Sequence, residues 1–359
     1  MFGGIAILGA GIFAKEAHLP ALVALGASAP PLRAVYSRSE KSAQDFAATA
    51  GQALNLAAPP PVYYDSALLA RSDIGAVFVV LPIALQPSII LKALAAGKHV
   101  LSEKPVAPDV KQGLELIKRY NEVYKPKGLI WRVAENFEAE PGVRAAGAAV
   151  AAGKIGKIIF FRTVTSNHID KTSKWYNTPW RTVPDYQGGF LLDGGVHTIA
   201  ALRTVLPSRL THLTGFASLN KDYLAPHDTI HVVVRSGTEF HGTAELTWAA
   251  PTKSRPTTDM FLITGTGGWV SLNMVGGVWK VLIKSVDGKT GQEKEEVSEY
   301  EMQGVRLEID AFLGAIEGKT DALTIGDPLE ALRDIAFIQA SLKSNGNLVD
   351  LIDLVPESL

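Results

Sequence analysis

The stretch Ile5-Ala6-Ile7-Leu8-Gly9-Ala10-Gly11-Ile12-Phe13-Ala14, near the start of a sequence of 359 residues, predicts how the first part of the chain folds. Its first four residues form an apolar run that is typical of a strand buried on both faces of a sheet. The rest matches Gly-x-Gly-x-x-Gly/Ala, in which the first glycine makes a tight turn and the second lets the backbone approach a pyrophosphate. Glycine-rich turns also occur without a ligand, but here a second strand follows about 20 residues later, as the dinucleotide motif requires. We therefore predict a dinucleotide-binding turn made by Gly9, Ala10, Gly11, Ile12 and Phe13.

The end of that second strand predicts which dinucleotide is bound. Sites for NAD usually carry Asp or Glu at this point, where the carboxylate binds the ribose 2′-hydroxyl. This sequence reads Tyr36-Ser37-Arg38-Ser39 instead, so no carboxylate repels a 2′-phosphate, and Arg38 offers it a planar pair of donors. A charge-assisted hydrogen bond contributes about 1.5–3 kcal/mol, which corresponds to about a ten- to hundred-fold preference. We predict that Ser37 and Arg38 select NADP(H) over NAD(H), the alternative being that Arg38 is a solvated turn residue.

Strand and helix signals alternate over the first 137 residues. Short apolar runs rich in β-branched residues are separated by segments with helical spacing, a repetition that indicates a doubly wound α/β domain. The predicted strands of this part are 5–8, 32–36, 76–81, 100–101 and 129–131. Its predicted helices are 40–50, which Gly51 ends, 86–96 and 110–124, which Asp109 caps.

After Pro141 the pattern changes to longer strands in which polar and apolar residues alternate. This pattern predicts a second domain of the α+β class, built around an open, mostly antiparallel sheet. Its predicted strands are 158–165, 210–219, 229–235, 239–248, 261–264, 269–272 and 279–283. Its predicted helices are 143–152, 305–317 and 328–345. We place the domains at residues 1–137 and 138–359, with the closing helices able to pack back on the first domain.

The composition excludes several classes of function. With 35 basic and 36 acidic residues the formal charge is −1, which leaves no surplus of positive charge for nucleic acid. The sequence contains no cysteine, which excludes disulfides, thiolate metal sites and a cysteine nucleophile. No apolar stretch of the sequence reaches the roughly 18 residues that span a bilayer. We expect a cytoplasmic protein that acts on a small molecule, without nucleic-acid or membrane partners.

Two further clusters carry chemistry. Glu103-Lys104-Pro105 follows the predicted fifth strand, at the sheet edge where open α/β sheets bind ligands. A lysine there can act near a reacting carbonyl or hydroxyl, although an isolated lysine is usually a surface charge. The second cluster is the run Gly188-Gly189-Phe190-Leu191-Leu192-Asp193-Gly194-Gly195-Val196-His197. We expect Asp193 to cap a helix that continues to Val205, with His197 four residues later on the same face.

A carboxylate beside a histidine can orient the ring and so form a general acid/base near neutral pH. One alternative is that Asp193 only caps the helix and His197 is a core residue. Another is that both are ligands of a metal site, but the sequence shows no obvious third ligand. We predict no metal. The remaining histidines, at positions 18, 99, 168, 212, 227, 231 and 241, sit singly and receive no catalytic role.

In this order and spacing, the glycine turn, Glu103-Lys104-Pro105 and the run ending at His197 resemble the glucose–fructose oxidoreductase/inositol dehydrogenase/MocA (Gfo/Idh/MocA) family over essentially the whole chain. The resemblance implies an N-terminal Rossmann domain for a nicotinamide dinucleotide and a C-terminal domain whose open sheet supplies substrate and dimer contacts. It implies that Lys104 relays a proton, that Asp193 orients the substrate and that His197 is the acid/base. The other residues that it places at the cofactor are Leu81, Pro82, Gln86, Glu103, Asn136, Trp180 and Arg181.

One segment departs from the family pattern. Many members carry basic residues after the asparagine that follows the sixth strand, whereas this chain reads Glu135-Asn136-Phe137-Glu138. Asn136 keeps its place, but Glu138 does not replace a basic contact to cofactor or substrate. The form of this segment, together with the run from Trp180 to His197, is similar to a fungal NADP-linked branch of the family.

The sequence leaves three classes of function. The leading one is an NADP-dependent oxidoreductase that interconverts a secondary alcohol and a carbonyl on a sugar, polyol or related small molecule. A non-catalytic sensor that binds the dinucleotide is the second, but it has no need of Lys104, Asp193 and His197 together. The third is a hydrolase or lyase that keeps its dinucleotide bound and recycles it within one turnover. We expect the substrate to contact these three residues, Tyr176 and Trp180, and the chain to form a homodimer or homotetramer through its C-terminal sheet.

Overall fold

The computed structural model describes residues 3–254, 260–320 and 324–356. The chain forms two compact units, the first made of Met1–Asn136 and Val305–Ala331 and the second of Phe137–Gly304 and Leu332–Ser358. The sequence-based division assigned residues 305–331 to the second domain and allowed the closing helices to pack back. In the structure this segment is part of the first unit, so the chain enters that unit twice.

A six-stranded parallel sheet forms the centre of the first unit. Its strands are β1 (Gly4–Leu8), β2 (Leu32–Tyr36), β3 (Val62–Tyr63), β4 (Ile74–Val79), β5 (His99–Glu103) and β6 (Trp131–Ala134). The strand order is β3-β2-β1-β4-β5-β6, with every neighbouring pair parallel. In this order β1 lies at the centre, where the order reverses and doubly wound sheets bind their ligands. The predicted Rossmann-like fold class is confirmed for this unit.

Four helices connect these strands: α1 (Leu19–Leu25), α2 (Glu40–Ala53), α3 (Gln86–Ala95) and α4 (Val110–Arg119). Ser39 caps α2, because its Oγ accepts a hydrogen bond from the backbone N of Ser42 at 3.3 Å. The prediction that Gly51 ends α2 is wrong, since the helix continues through it to Ala53. Gly51 serves packing there, because a Cβ at this position would lie 3.1 Å from Cα of Pro59.

The core of the first unit is apolar on both sides of the sheet. Ile5 and Ile7 of β1 are fully buried, as is Phe78 of β4. The ring of Phe78 meets that of Phe312 edge-on at 6.1 Å between centroids. Phe312 belongs to the 305–331 segment, so the returning chain completes the core around β1 and β4.

The second unit is built on a nine-stranded sheet. Its strands are β7 (Ile158–Ser166), β8 (Leu210–Ser218), β9 (Thr229–Ser236), β10 (Phe240–Thr247), β11 (Phe261–Gly265), β12 (Gly268–Val275), β13 (Val278–Val286), β14 (Glu293–Glu301) and β15 (Val349–Asp350). The strand order is β14-β13-β12-β11-β7-β10-β9-β8-β15. Only the β7–β10 pair is parallel among these described strands, which confirms a mostly antiparallel sheet.

The remaining described helices are α5 (Asn136–Ala139), α6 (Pro141–Ala151), α7 (Pro179–Thr182), α8 (Phe190–Val205), α9 (Gly304–Ile316), α10 (Pro328–Lys343) and α11 (Leu351–Leu354). Helices α6 and α8 cover one face of the nine-stranded sheet. The opposite face carries exposed apolar side chains on several strands, among them Phe216 (63% exposed), Val233 (50%) and Val297 (62%). Among the residues that the structure describes, no helix has the length and apolar character needed to cross a membrane.

Sequence patterns missed β3, β14 and β15. Two of these strands have only two residues, and β14 reads Glu-Lys-Glu-Glu-Val-Ser-Glu-Tyr-Glu, without an apolar alternation. Charge pairs across the ladder supply its partners instead, with Lys280 Nζ 2.8 Å from Glu299 Oε1 and Lys284 Nζ 3.3 Å from Glu295 Oε2. Opposite charges on facing residues of two strands stabilise an exposed antiparallel pair.

A buried group of charges lies in the second unit. Arg203 of α8 binds Oε1 of Glu138, and its Nη2 lies 2.9 Å from Oδ2 of Asp334. Both carboxylates are at most 6% exposed at the side chain. Although burial lowers it, the carboxylates of Asp334 and Glu138 raise the pKa of Arg203 well above its ordinary value. Glu138, which departs from the family pattern, therefore serves the interior of this unit.

Removal of this arginine tests that interpretation. Arg203→Met leaves two buried carboxylates without their shared cation, and breaking a buried pair in this way costs about 3–5 kcal/mol. Arg162→Met is the matched control, because Arg162 pairs with Glu245 at a site where the side chains are 47% and 30% exposed. Exposed pairs contribute about 0–1 kcal/mol. We expect urea unfolding to show a large loss of stability for Arg203→Met and a small one for Arg162→Met; equal losses would contradict the assignment.

Candidate functional site

The turn after β1 has no room for a side chain at its first glycine. Gly9 has φ +126°, and a Cβ there would lie 2.0 Å from the carbonyl oxygen of Val80, which follows β4. The backbone N of Gly9 donates to the carbonyl of Tyr36, at the end of β2, at 2.8 Å. The turn is therefore held between the ends of the two strands that flank β1.

The second glycine of the turn faces open space. No heavy atom lies within 4 Å of the position that a Cβ on Gly11 would take, and the residue is exposed. A helical segment starts here, with the backbone N of Lys15 donating to the carbonyl of Gly11 at 3.2 Å. Ile12 and Phe13 are half-buried beside it, and Ala14 is fully buried. Free backbone N–H groups at a helix start next to open space fit a pyrophosphate.

Ser37 and Arg38 lie directly after β2, at the same edge of the sheet. Ser37 is half-buried and accepts a hydrogen bond at Oγ from the backbone N of Ser39 at 3.3 Å. Arg38 is exposed. Arg38 therefore follows β2 at this edge and directly precedes Ser39, the N-cap of α2.

The segment after β4 reaches that edge too, because Leu8 pairs with Val79 at the ends of β1 and β4. Leu81 and Pro82 are half-buried there. Gln86, the first residue of α3, is fully buried, and neither its Nε2 nor its Oε1 has a hydrogen-bond partner among the described residues. A buried amide without partners costs about 1–3 kcal/mol per unsatisfied group, so this position favours an ordered water or a ligand group.

Glu103 ends β5, and Lys104 follows it, half-buried. The carboxylate of Glu103 accepts a hydrogen bond from Nε2 of His18 at 2.6 Å, and both residues are buried. Asn136, also buried, follows β6 as the first residue of α5. The structure thus collects the predicted cofactor residues of the first unit at one edge of the sheet, and it adds His18, which sequence reasoning passed over.

In the second unit, Asp193 lies inside the first turn of α8. The prediction that Asp193 caps this helix is wrong, because the N-cap is Gly189, which has φ +53°, and no side chain caps the helix. The carboxylate of Asp193 accepts a hydrogen bond from Nε of Arg181 at 2.7 Å, and Asp193 is only 6% exposed. The two predicted site residues therefore form a largely buried ion pair.

Aromatic rings surround this arginine. The guanidinium carbon of Arg181 lies 4.0 Å from the ring centroid of Trp180 and 5.2 Å from that of Trp175. Tyr176 meets the ring of Tyr223 edge-on at 5.5 Å. Because a guanidinium is weakly hydrated and binds aromatic faces, the rings fix the position of Arg181. One face of Trp180 is thus occupied within the protein.

His197 lies one turn after Asp193 on α8 and is half-buried. Its ring stacks on Phe137 with 4.7 Å between centroids and 24° between planes. Phe137 in turn meets Trp279 edge-on at 5.6 Å. The plane of the imidazole is therefore set by its packing against Phe137.

Tyr186 is a further residue that sequence reasoning missed. It is 7% exposed, its ring lies 5.9 Å from that of Trp180, and its hydroxyl has no partner among the described residues. Burial, and after it the charge of Asp193, raises the pKa of Tyr186 well above its usual range. The phenol therefore stays protonated at neutral pH. The sequence signal that could have identified Tyr186 is its position two residues before Gly188-Gly189, at the start of the run that ends at His197.

No group of three or more His, Asp or Glu side chains within residues 3–254, 260–320 and 324–356 is arranged to hold a metal ion.

The open space at Gly11 yields a test by substitution. Gly11→Ala adds a methyl group that meets no atom of the protein, so we expect the melting temperature to change by no more than about 1 °C. If a pyrophosphate uses this space, the affinity for NADPH falls by about tenfold or more. Titration of protein fluorescence with NADPH measures this affinity. Unchanged affinity would show that the dinucleotide is not bound at this turn.

Comparisons with known proteins agree with this geometry. Residues 4–126 match the model of an oxidoreductase family with an NAD-binding Rossmann fold, and residues 143–271 match the model of the GFO/IDH/MocA C-terminal domain. Dehydrogenase FPY6 of Fusarium mangiferae is 39% identical over 95% of this chain and 96% of its own length. A dTDP-3,4-didehydro-2,6-dideoxy-alpha-D-glucose 3-reductase of Streptomyces violaceoruber is 31% identical over 66% of this chain and 62% of its own.

Among solved structures, an oxidoreductase of Thermotoga maritima superposes with a TM-score of 0.84 at 30% identity, covering 99% of this chain and 100% of the other. The match extends over both units, and the fungal relative is similar along nearly its whole length. The chain therefore belongs to the Gfo/Idh/MocA family of oxidoreductases, and its first unit is the NAD(P)-binding Rossmann domain of that family.

Proposed function

We propose that the protein is an NADP(H)-dependent oxidoreductase that interconverts a secondary alcohol and a carbonyl on a neutral sugar or polyol. The observation that carries the cofactor part is Arg38, exposed after β2 where a carboxylate would select NAD. The family membership carries the reaction type. The pair Arg181–Asp193 and the stacked His197 carry the substrate part.

The preference for NADP(H) rests on charge. A ribose 2′-phosphate brings about two negative charges, and Arg38 can bind it with two parallel donors. Ser37 and Ser39 lie on either side of the arginine, and Ser39 already orders the N-terminus of α2. The partial positive charge of that helix N-terminus favours a phosphate further.

The bound nicotinamide supplies hydride chemistry, and the protein must manage the proton. Alcohol oxidation releases a proton from the hydroxyl, and an imidazole is the side chain best suited to accept it near neutral pH. We assign this role to His197, whose ring plane is fixed by Phe137. We assign to Lys104 the polarisation of the reacting oxygen, and to Asp193, whose direction Arg181 sets, a hydrogen bond to a substrate hydroxyl.

Charge also bears on the substrate class. The guanidinium of Arg181 is already paired with Asp193, and Nη1 donates to Thr178 at 3.3 Å. A cation that is neutralised within the protein offers little to a sugar acid or a sugar phosphate. The names of two relatives support a polyhydroxylated substrate, since one is a dTDP-3,4-didehydro-2,6-dideoxy-alpha-D-glucose 3-reductase and the other a scyllo-inositol 2-dehydrogenase. We propose that the substrate is a neutral polyhydroxylated compound.

The exposed face of the nine-stranded sheet is proposed as the contact between copies of the chain. Val233 and Val297 lie in the same row of facing residues, which runs across eight strands. This face exposes large apolar side chains among polar ones, and Phe216, Val233 and Val297 are each at least 50% exposed, which favours association. We keep the cytoplasm as the expected location, because a sequence without cysteine suits a reducing compartment.

The proposal is tested by steady-state absorbance of the reduced nicotinamide with neutral aldoses, polyols and their keto forms, run in both directions. We expect turnover with NADP(H) above that with NAD(H). Turnover with sugar acids alone would contradict the neutral substrate class. Absence of any turnover, with NADPH still bound, would favour the sensor or the enzyme that recycles its dinucleotide.

Arg38→Ala tests the cofactor assignment. Loss of the charge-assisted contact should weaken NADPH binding by about ten- to hundred-fold and leave NADH binding nearly unchanged. Isothermal titration of both dinucleotides gives the ratio. Arg33→Ala serves as control, because Arg33 is an exposed arginine of β2 whose guanidinium pairs with Asp73 at 4.0 Å. An unchanged NADPH-to-NADH ratio in Arg38→Ala would refute the selector role.

Val233→Lys tests the interface. We expect the wild-type chain to behave as a dimer or tetramer in sedimentation, and Val233→Lys to shift it toward monomer because a buried lysine is costly at a contact. Val183→Lys is the control, since Val183 is 77% exposed just after α7, outside the sheet. If both variants keep the wild-type mass, the interface lies elsewhere.

A further inference from the structure

His18 is a buried histidine whose side chain makes one short hydrogen bond among the described residues. Its Nε2 lies 2.6 Å from Oε1 of Glu103, and the residue is 1% exposed. The ring lies against Phe13 and Phe78, with centroid distances of 5.5 and 5.8 Å. In apolar surroundings a hydrogen bond to a carboxylate is strengthened, because water does not compete for the donor. His18 and Glu103 therefore hold each other in one arrangement.

This hydrogen bond joins two segments that are far apart in the sequence. Phe13 ends the predicted dinucleotide turn, and His18 follows in the helical segment that leaves it. Glu103 is the last residue of β5, and the next residue is Lys104. The contact, between residues 85 positions apart, thus links the dinucleotide turn to the segment that carries the lysine.

We propose that His18 is a positioning residue that couples dinucleotide binding to the placement of Lys104 through Glu103. The role of Lys104 in this inference rests on the proposed function. The carboxylate of Glu103, which is predicted to contact the cofactor, binds His18 through the hydrogen bond. The backbone of Glu103 is joined directly to Lys104, so its position sets where the lysine begins. A dinucleotide that orders the turn around Phe13 also fixes His18, and so fixes the start of the Lys104 segment.

The strength of the link follows from the chemistry of the pair. A buried carboxylate needs a donor, and Glu103 is 7% exposed with the His18 imidazole as its described partner. Without that donor the carboxylate gains by turning toward water, which moves the segment that precedes Lys104. A hydrogen bond to a charged group changes the population of such an arrangement by about tenfold or more.

The test uses the full-length protein with NADPH as the probe. His18→Leu removes the donor, whereas His18→Gln places an amide N–H near the position of Nε2 and should restore the bond. His99→Leu is the control: His99 lies at the other end of β5 and accepts a hydrogen bond at Nδ1 from the backbone N of Ile130 at 3.0 Å. The measurements are the Kd for NADPH and the rate at which Lys104 is acetylated, by mass spectrometry, with and without NADPH.

We expect His18→Leu to raise the Kd for NADPH about tenfold and to abolish the effect of NADPH on Lys104 acetylation. We expect His18→Gln to stay within about threefold of wild type in both measurements. His99→Leu should lower the melting temperature yet leave both readouts unchanged. If His18→Leu does not fold, Glu103→Gln carries the test through the acetylation readout, in which the effect of NADPH on Lys104 should shrink because a neutral acceptor binds the imidazole less strongly.

Wild-type affinity and wild-type acetylation in folded His18→Leu would overturn the inference. Equal losses in His18→Leu and His99→Leu would overturn it too, since they would show a general effect of stability. A wild-type chain that binds neither NADPH nor NADH would contradict the proposed function itself, and this outcome is distinct from the other two.

Discussion

The close approach of the backbone at Gly9 to the carbonyl oxygen of Val80 is the constraint on which the first unit depends. Any side chain at this position would separate the ends of β1 and β4. The backbone N–H of Gly9 also donates a hydrogen bond to the carbonyl of Tyr36 at the end of β2. Three strand ends therefore meet at one turn. Ser37 and Leu81 follow β2 and β4, and Glu103 ends β5, so the sheet order brings all three residues to the same edge. These residues share one edge because the strands are parallel and their carboxyl ends therefore lie on the same side of the sheet. Open space lies next to Gly11 in the turn that follows β1.

The buried acidic residues of the second unit discussed above have two different arginine partners. Glu138 and Asp334 share Arg203 inside the unit, and this group stabilises the packing of α5, α8 and α10. Asp193 is paired with Arg181, which stacks on tryptophan rings in a segment outside the sheet. The hydrogen bond from Arg181 sets the direction of the Asp193 carboxylate. The two groups differ in their surroundings: one lies among packed helices, and the other lies beside the tryptophan rings next to Arg181.

Local patterns predicted much of this molecule. The apolar run and the glycines around Gly9 depend on nearest neighbours, as does the cap at Ser39, and the structure shows both. Asp193 was misplaced because two glycines with positive φ start α8 earlier than a carboxylate cap would. Strand β14 was missed because cross-strand charges, rather than an apolar pattern, stabilise it. His18 was passed over because its partner lies 85 residues away, a distance that no sequence window covers.

Hydride transfer from a dinucleotide held by the first unit, with the proton handled by His197, is the central claim of this account. The most direct measurement is the fate of deuterium in a reaction started with NADPH that carries the label on the transferable position of the nicotinamide ring. A keto sugar or keto polyol that is turned over provides the acceptor, and mass spectrometry of the product locates the label. We expect one deuterium on the new carbinol carbon and oxidised dinucleotide in equal amount. A product without deuterium, formed while the dinucleotide remains reduced and bound, would contradict it.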